Sequence, residues 1–360
     1  VATTWGIDPR HRAAGRLGLA KRLLRFRYML ALPVLLAGAS VAEPVASPPI
    51  YLGATAPALP ADISVMTYNV KGMPWPLASG RPAALRRIGQ RLARMRALHR
   101  QPSVVVLQEA FTPEAKAIAA LSGYRFVVAG AYTRGAPGEA DRASRNRFLG
   151  ETQPAFADSG LIVLSDLPVQ SVARAAFPAA ACAGWDCLAA KGVALVTLDL
   201  PGKGPLTVAT VHLNSQGASG AAKPRTTRAY ARQVRFLAEF LAAERAGGAP
   251  LILAGDFNRG DRPARIASLG AALARVAGGA APDDALAALL PTSPRLSRLA
   301  DAREIHARGR DLQYAFAGEN VRPVPVEAEV PFGTETDGTA LSDHMGYTVR
   351  YRLQRVGRTI

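Results

Sequence analysis

Eight strand-sized apolar runs recur between residues 63 and 351, and several of them finish on a polar side chain. The runs are ISVMTYNV, SVVVLQEA, YRFVVAG, SGLIVLS, GVALVTLDL, PLTVATVHL, PLILAGDF and MGYTVRY, each short enough for one strand of a buried sheet. Helical patterns separate some of them. RPAALRRIGQRLARMRALHR precedes the second run, and TTRAYARQVRFLAEFLAAERAGG precedes the seventh and stops at Gly247 and Gly248, a glycine stop that ends a helix. Strands alternating with helices predict an α/β or mixed layered fold. Arg87, Arg91 and Arg94 on the first helix read as a solvated face. No internal repeat is visible and no spacer divides residues 62–360, so one domain is expected there.

The polar ends carry the chemistry. Asn69 follows ISVMTY, Glu109 follows VVVLQ, His212 follows LTVATV, and Asp256 and Asn258 follow LILAG. Strand ends are where α/β folds place their sites. A buried carboxylate is costly unless it is hydrogen-bonded or binds a cation, so Glu109 and Asp256 need a partner, and a metal ion serves both. Any one of these residues alone would be read as structural; the set is not.

Read in order, the chain carries T-Y-N-V-K-G (67–72), L-Q-E-A-F (107–111), V-H-L-N-S (211–215), A-G-D-F-N-R-G (254–260) and L-S-D-H-M (341–345). The five blocks resemble the endonuclease/exonuclease/phosphatase superfamily over essentially all of residues 62–353. That resemblance implies a four-layer α/β/β/α sandwich, two mixed β-sheets face to face with helices outside, and a Mg²⁺-dependent phosphoesterase, with Mn²⁺ as a substitute. It makes Glu109 the principal metal ligand with Asn69 beside it, and Asp343 a second metal-side ligand. His212 and Asn258 would donate hydrogen bonds to the phosphoryl oxygens. Asp256 and His344 would share the general acid–base work, with the base left open between them and the metal count open between one and two. Of five histidines, only His212 and His344 fall in these blocks; His11, His99 and His306 read as leader or surface residues. One departure stands out. In the segment R-D-L-Q-Y-A-F (310–316), Gln313 occupies the place where the family carries an Asp that orients the catalytic histidine. Asp311, two residues earlier on the same strand face, is the alternative source of that carboxylate.

Within the superfamily, N-V-K-G-M-P-W-P (69–76), S-G-L-I-V-L-S-D-L-P-V (159–169) and C-L-A-A-K-G-V (187–193) are most similar to the neutral sphingomyelinase branch. This implies phospholipase C-type cleavage of phospholipid head groups, a phosphate contact for Lys191, and a membrane surface as partner, with Trp75, Phe177 and Trp185 as candidate lipid-inserting residues. A secreted DNase-like endonuclease is the alternative, with nucleic acid as partner. An inactive phosphate- or phosphoinositide-binding module is the reading from another class. A monomer is expected.

The charge excess allows either enzyme. The chain carries 44 Lys and Arg against 27 Asp and Glu, a net +17, of which seven bases and one acid in residues 1–42 account for +6; the remaining +11 favours anionic partners. Residues 29–42, MLALPVLLAGASVA, form an apolar stretch after a basic segment, shorter than the ~20 residues of a membrane span. Residues 1–42 as a whole read as a signal peptide cleaved before Glu43, with an N-terminal anchor as the alternative. Residues 43–61, rich in Pro and Ala, read as a linker. Export permits Cys182 and Cys187 to pair, as a local clamp on a loop.

Overall fold

Two βαβ crossovers set the frame. The computed structural model describes residues 50–51, 62–134, 145–200, 202–245 and 248–356; the leader and most of the linker lie outside these. Strand β2 (Ile63–Asn69) runs parallel to β3 (Val104–Gln108), and helix α1 (Arg81–Ala97) makes the crossover. In the same way β8 (Gly204–His212) runs parallel to β9 (Leu251–Asp256) through α3 (Lys223–Glu244). Parallel neighbours need such a crossover, so the two helical patterns of the sequence have a topological reason. Each pair therefore ends at the same edge of its sheet.

The first sheet has seven strands in the order β1-β4-β5-β3-β2-β12-β11, with β1 (Ile50–Tyr51), β4 (Phe126–Ala129), β5 (Ile162–Ser165), β11 (Val321–Phe332) and β12 (Gly346–Arg355). The second has five, β10-β9-β8-β7-β6, with β6 (Val169–Ala176), β7 (Gly192–Leu200) and β10 (Asp311–Phe316). Alternating side chains sort into three apolar layers. Ile63, Val65, Val104, Val106, Val208, Ile252 and Ala254 meet between the sheets. Met66, Tyr68, Val105 and Leu107 turn outward onto Leu85, Ile88 and Leu92 of α1 and Ile118 of α2 (Pro113–Ser122). Ala209, Val211, Leu251 and Leu253 turn outward onto Val234, Leu237 and Leu241 of α3 and Leu269 and Leu273 of α4 (Pro263–Ala277). The short helices α5 (Ala285–Leu289), α6 (Pro294–Arg298) and α7 (Ala300–Arg308) add Leu286, Leu296 and Ile305 to the inter-sheet layer. This is the four-layer α/β/β/α arrangement.

Three strands escape the sequence patterns. β6 and β11 are the outer strands of the two sheets, half exposed, and β11 contains Pro323 and Pro325; proline is tolerated at such edges because a main-chain N–H facing solvent is not needed. Ile50–Tyr51 lies within the expected linker yet pairs antiparallel with Phe126 and Val127, because β4 would otherwise leave an unpaired edge. Among the described residues, no helix is long and apolar enough to cross a membrane.

Candidate active site

Along each central strand, the inward-facing side chains change from apolar to polar at one end of the sandwich. β2 reads Ile63, Val65, Thr67, Asn69; β3 reads Val104, Val106, Gln108; β8 reads Leu206, Val208, Thr210, His212; β9 reads Ile252, Ala254, Asp256. All of these are buried. Strand register then puts the last residues side by side: Asn69 opposite Gln108, His212 opposite Asp256, and Asp256 opposite Asp311. Beneath them Gln108 donates to Thr210 Oγ1 (3.1 Å), a polar tie between the sheets. The chain leaves the strands sharply, and Lys71, Glu109 and Asn258 all have positive φ (50°, 57° and 46°). Non-glycine residues adopt that region at a cost and chiefly where surrounding contacts impose it. Gly72 is a glycine because a Cβ there would lie 2.5 Å from the Glu109 carbonyl oxygen.

Two overlapping groups result, Glu109 with His212 and Asp256, and Asp256 with Asp311 and His344, the candidate ligand atoms of each lying within 4.8 Å of one another. Asn69 Nδ2 donates to Glu109 Oε1 and Asp256 Oδ2, both at 3.0 Å. His344 Nδ1 lies 2.7 Å and 3.0 Å from the two oxygens of Asp311, which leaves Nε2 facing Asp256 Oδ2 at 3.9 Å. His212 Nε2 lies 3.4 Å from Asp256, 3.8 Å from Glu109 and 3.0 Å from Lys191 Nζ. Lys191 also pairs with Asp186 (2.8 Å), whose other oxygen accepts from the Ser215 amide and hydroxyl.

Burial and charge push these groups apart. Burial lifts the Asp256 carboxyl to about 6, against the pull of His344. For His344, burial acts downward, but the carboxylates of Asp311 and Asp256 outweigh it and raise the imidazole to about 9. Burial, then Lys191 and His344, hold His212 well below its ordinary value, so it is neutral at pH 7. The donor set fits a hard dication. Glu109 is the carboxylate open to the cleft, its side chain 20% exposed beside the buried Asp256 and the neutral His212, and oxygen-rich ligation with room for water is what Mg²⁺ prefers.

Several expected residues stand elsewhere or face another way. Gln313 does not reach His344: one step deeper in the inter-sheet layer, its amide donates to Val65 O (3.2 Å) and Tyr347 O and accepts from Tyr351 Oη (3.1 Å). Asp311, at the mouth end of the same strand face, holds the ring. Asp343 lies outside both groups, 54% exposed and paired with Lys71 at 2.9 Å. Burial acts to raise that carboxyl, and Lys71 more than offsets this, leaving it below the usual range. The Asn69 oxygen accepts from the Lys71 amide (3.0 Å), so the nitrogen faces the carboxylates and the side chain bridges them. Asn258 Nδ2 donates to Leu213 O (3.1 Å). Of the three aromatics, Trp75 is 82% exposed, Phe177 is buried against Phe236, and Trp185 is half-buried beside Gly220. Asp186 escaped the sequence reading; its one signal was an acid enclosed between the two cysteines, which form the Cys182–Cys187 disulfide.

The fold is shared with solved structures of low sequence identity. A mutant beta toxin from Staphylococcus aureus with bound magnesium ions superposes with a TM-score of 0.52 at 15% identity, covering 81% of this chain and 99% of its own. An endonuclease/exonuclease/phosphatase from Beutenbergia cavernae gives 0.53 at 20%, covering 81% and 72%. D. rerio TDP2 complexed with a single-strand DNA product gives 0.51 at 17%, covering 81% and 98%. No curated protein sequence matches the chain. The family model described as Endonuclease/Exonuclease/phosphatase family matches residues 66–344, from β2 to His344. With that match spanning every strand end described above, the chain belongs to the endonuclease/exonuclease/phosphatase family, whose members are typically metal-dependent hydrolases of phosphodiester bonds.

Proposed function

We propose that this protein is an exported, Mg²⁺-dependent phosphodiesterase that cleaves phospholipid head groups in the manner of a phospholipase C. The observation that carries the hydrolase reading is the pairing of Asp256, lifted to about 6, with His344, raised to about 9 and anchored through Nδ1 on Asp311. Two neighbouring groups pushed apart in this way divide the work of base and acid between them. At neutral pH Asp256 is the base and His344 the acid. Asp256 takes a proton from a water as its oxygen attacks phosphorus, the bond to the leaving alcohol breaks on the opposite side, and His344 Nε2 gives that alcohol its proton. The products are a phosphomonoester and an alcohol. Lys191, steadied by Asp186, lies against the charge that builds on the phosphoryl oxygens, and Asn258 keeps one amide N–H for the same purpose. Glu109 would hold Mg²⁺, whose positive charge would offset that of the phosphate.

The lipid substrate is favoured by the surface beyond Asn69. Trp75 (82% exposed) and Leu77 (45%) stand on the segment that follows β2, and Phe148 (63%) stands on the short helix Arg147–Leu149, which is close to the turn bearing Asp186. Exposed large apolar groups around a site suit an interface with acyl chains. The nuclease reading is supported by the basic balance of residues 43–360, which suits DNA phosphates as well as an anionic membrane surface. The test is turnover of the purified protein with Mg²⁺ on sphingomyelin vesicles, other phospholipid vesicles and plasmid DNA. Vesicle turnover should persist at about 0.2–0.5 M NaCl, where exposed charge pairs are screened and apolar insertion is not. Plasmid nicking that exceeds lipid turnover, with a log–log salt slope near −0.9 per phosphate contact, would establish the nuclease instead.

A further inference from the structure

The largest fully buried side chain among the described residues is a charged one, Arg265, near the start of α4. Its Nη1 donates to Asn214 O (2.8 Å) and Asn258 O (2.6 Å), and its Nη2 to Ser215 O and Thr226 O (both 3.4 Å). The guanidinium lies over the Tyr230 ring, 4.5 Å from its centre. Among the described residues, its hydrogen-bond acceptors are all main-chain carbonyls, with no carboxylate among them. A buried cation with no carboxylate in hydrogen-bond contact, only the more distant pull of Asp186 and Asp256, is expensive, and an apolar side chain would fill the same volume without that cost. What an apolar side chain could not do is join two loops. One of them, 212–215, begins with His212; the other, 256–258, carries Asp256 and Asn258, the latter at φ 46°.

Arg81 repeats the arrangement on the other sheet. Its Nε donates to Lys71 O (2.8 Å), and its Nη2 to Val70 O (2.7 Å) and Leu341 O (2.8 Å). It thus ties the turn after Asn69 to the loop that leads into His344. Its acceptors, too, are main-chain carbonyls.

We propose that Arg265 and Arg81 are positioning residues that lock the active-site loops in pairs, 212–215 with 256–258 and 69–71 with 341–344. In this way His212, Asn258, Asn69 and His344 meet the substrate as one set. The catalytic part of this inference rests on the function proposed above; the loop coupling does not. A planar guanidinium donates to several carbonyls in fixed directions, whereas a lysine keeps the charge on one nitrogen. Arg→Lys therefore separates the fork from the charge.

The experiment compares Arg265→Lys, Arg81→Lys, Asn258→Ala and the double variant Arg265→Lys/Asn258→Ala. Turnover of bis(p-nitrophenyl) phosphate with Mg²⁺ is measured per folded molecule, well below the unfolding temperature. Arg265→Lys should lower kcat about 10- to 100-fold. The double variant should lose less than the product of the two single losses, because part of the effect of Arg265 passes through the placement of the Asn258 side chain while its hold on loop 212–215 remains a separate part. Wild-type kcat in folded Arg265→Lys, or fully multiplicative losses in the double variant, would overturn the proposal. Amide hydrogen exchange reads the coupling without turnover. In Arg265→Lys the amides of 213–216 and 257–260 should lose protection together while those of 69–72 keep theirs, and Arg81→Lys should show the converse. Unchanged protection in both loops, or uniform loss across the sheets, would also remove the positioning role. If Arg265→Lys does not fold, Arg81→Lys carries the same test on the other sheet. An inactive wild type with the exchange pattern intact would sink the proposed function and leave the loop coupling standing.

Discussion

Asp256 and His344 show how one residue serves two ends. Burial that lifts Asp256 to about 6 suits the base role proposed for it and also makes its ionised form unfavourable in the folded protein. Asp256→Asn should lower turnover at least ~10³-fold, since a positioned acid–base group typically supplies ~10²–10⁴ and this one also orients the attacking water. The same change should raise the thermal midpoint of the chelated protein at pH 8, where the native carboxylate is charged; a lower midpoint would refute the burial argument. Asp311 raises His344 toward 9, so Asp311→Asn should let burial pull the imidazole down and move the alkaline limb of the pH–rate profile to lower pH. An unmoved limb would return Asp311 to a purely structural role. Gln313 is different. Its amide is committed to Val65 O and Tyr347 O inside the core, so Gln313→Asp should destabilise by roughly 2–4 kcal/mol, measured by denaturant unfolding, because the carbonyls lose their donor and a carboxylate is buried.

At the scale of elements, the parallel pairs β2–β3 and β8–β9 bring the polar strand ends to one edge, and the loops that follow decide what docks there. The segment after β2 carries Trp75 outward, 82% exposed, so truncation of its side chain removes little packing. Trp75→Ala should therefore leave stability and turnover of a soluble choline-phosphate ester nearly unchanged and reduce turnover on vesicles several-fold. Equal loss on both substrates would place Trp75 in the catalytic cleft rather than at a lipid surface. Trp185→Ala should behave otherwise, losing stability first, since that ring packs on Gly220.

For the whole molecule, the three apolar layers hold the fold, and the proposed metal would serve the site alone. EDTA should abolish turnover and Mg²⁺ or Mn²⁺ restore it, with little change in thermal unfolding at low metal concentration; full activity in chelator would remove Glu109 from its assigned role. The chelated protein should also lose stability as pH rises. Asp256, raised from 3.8 to about 6, withdraws stability as pH climbs through that interval and no more above it. His344, raised from 6.5 to about 9, contributes fully below 6.5 and loses its contribution as pH passes 9. Thermal midpoints across pH 4–10 in EDTA would check both steps, and Asp256→Asn should erase the lower one.

Most of this fold was legible in the chain because its causes are local. Central strands are continuous apolar runs, crossover helices carry a 3.6-residue pattern, the second of them with a glycine stop, and polar residues at strand ends mark the cleft. Edge strands such as β6 and β11 were hidden because one side of them faces solvent and tolerates proline. The identities of Asn69, Glu109, His212, Asp256 and His344 were likewise visible as residues; strand register accounts for the placement of Asn69, His212 and Asp256, and the turns after β3 and before β12 bring Glu109 and His344 to them. What only tertiary structure decided is which atom faces which. That Asp311 rather than Gln313 holds His344, that Asn69 turns its nitrogen to the carboxylates, that Asp343 faces Lys71, and that Arg265 is buried among carbonyls all depend on contacts between residues far apart in sequence. Local pattern determines the face a side chain occupies; its partner on that face is set by the packing of two sheets against each other.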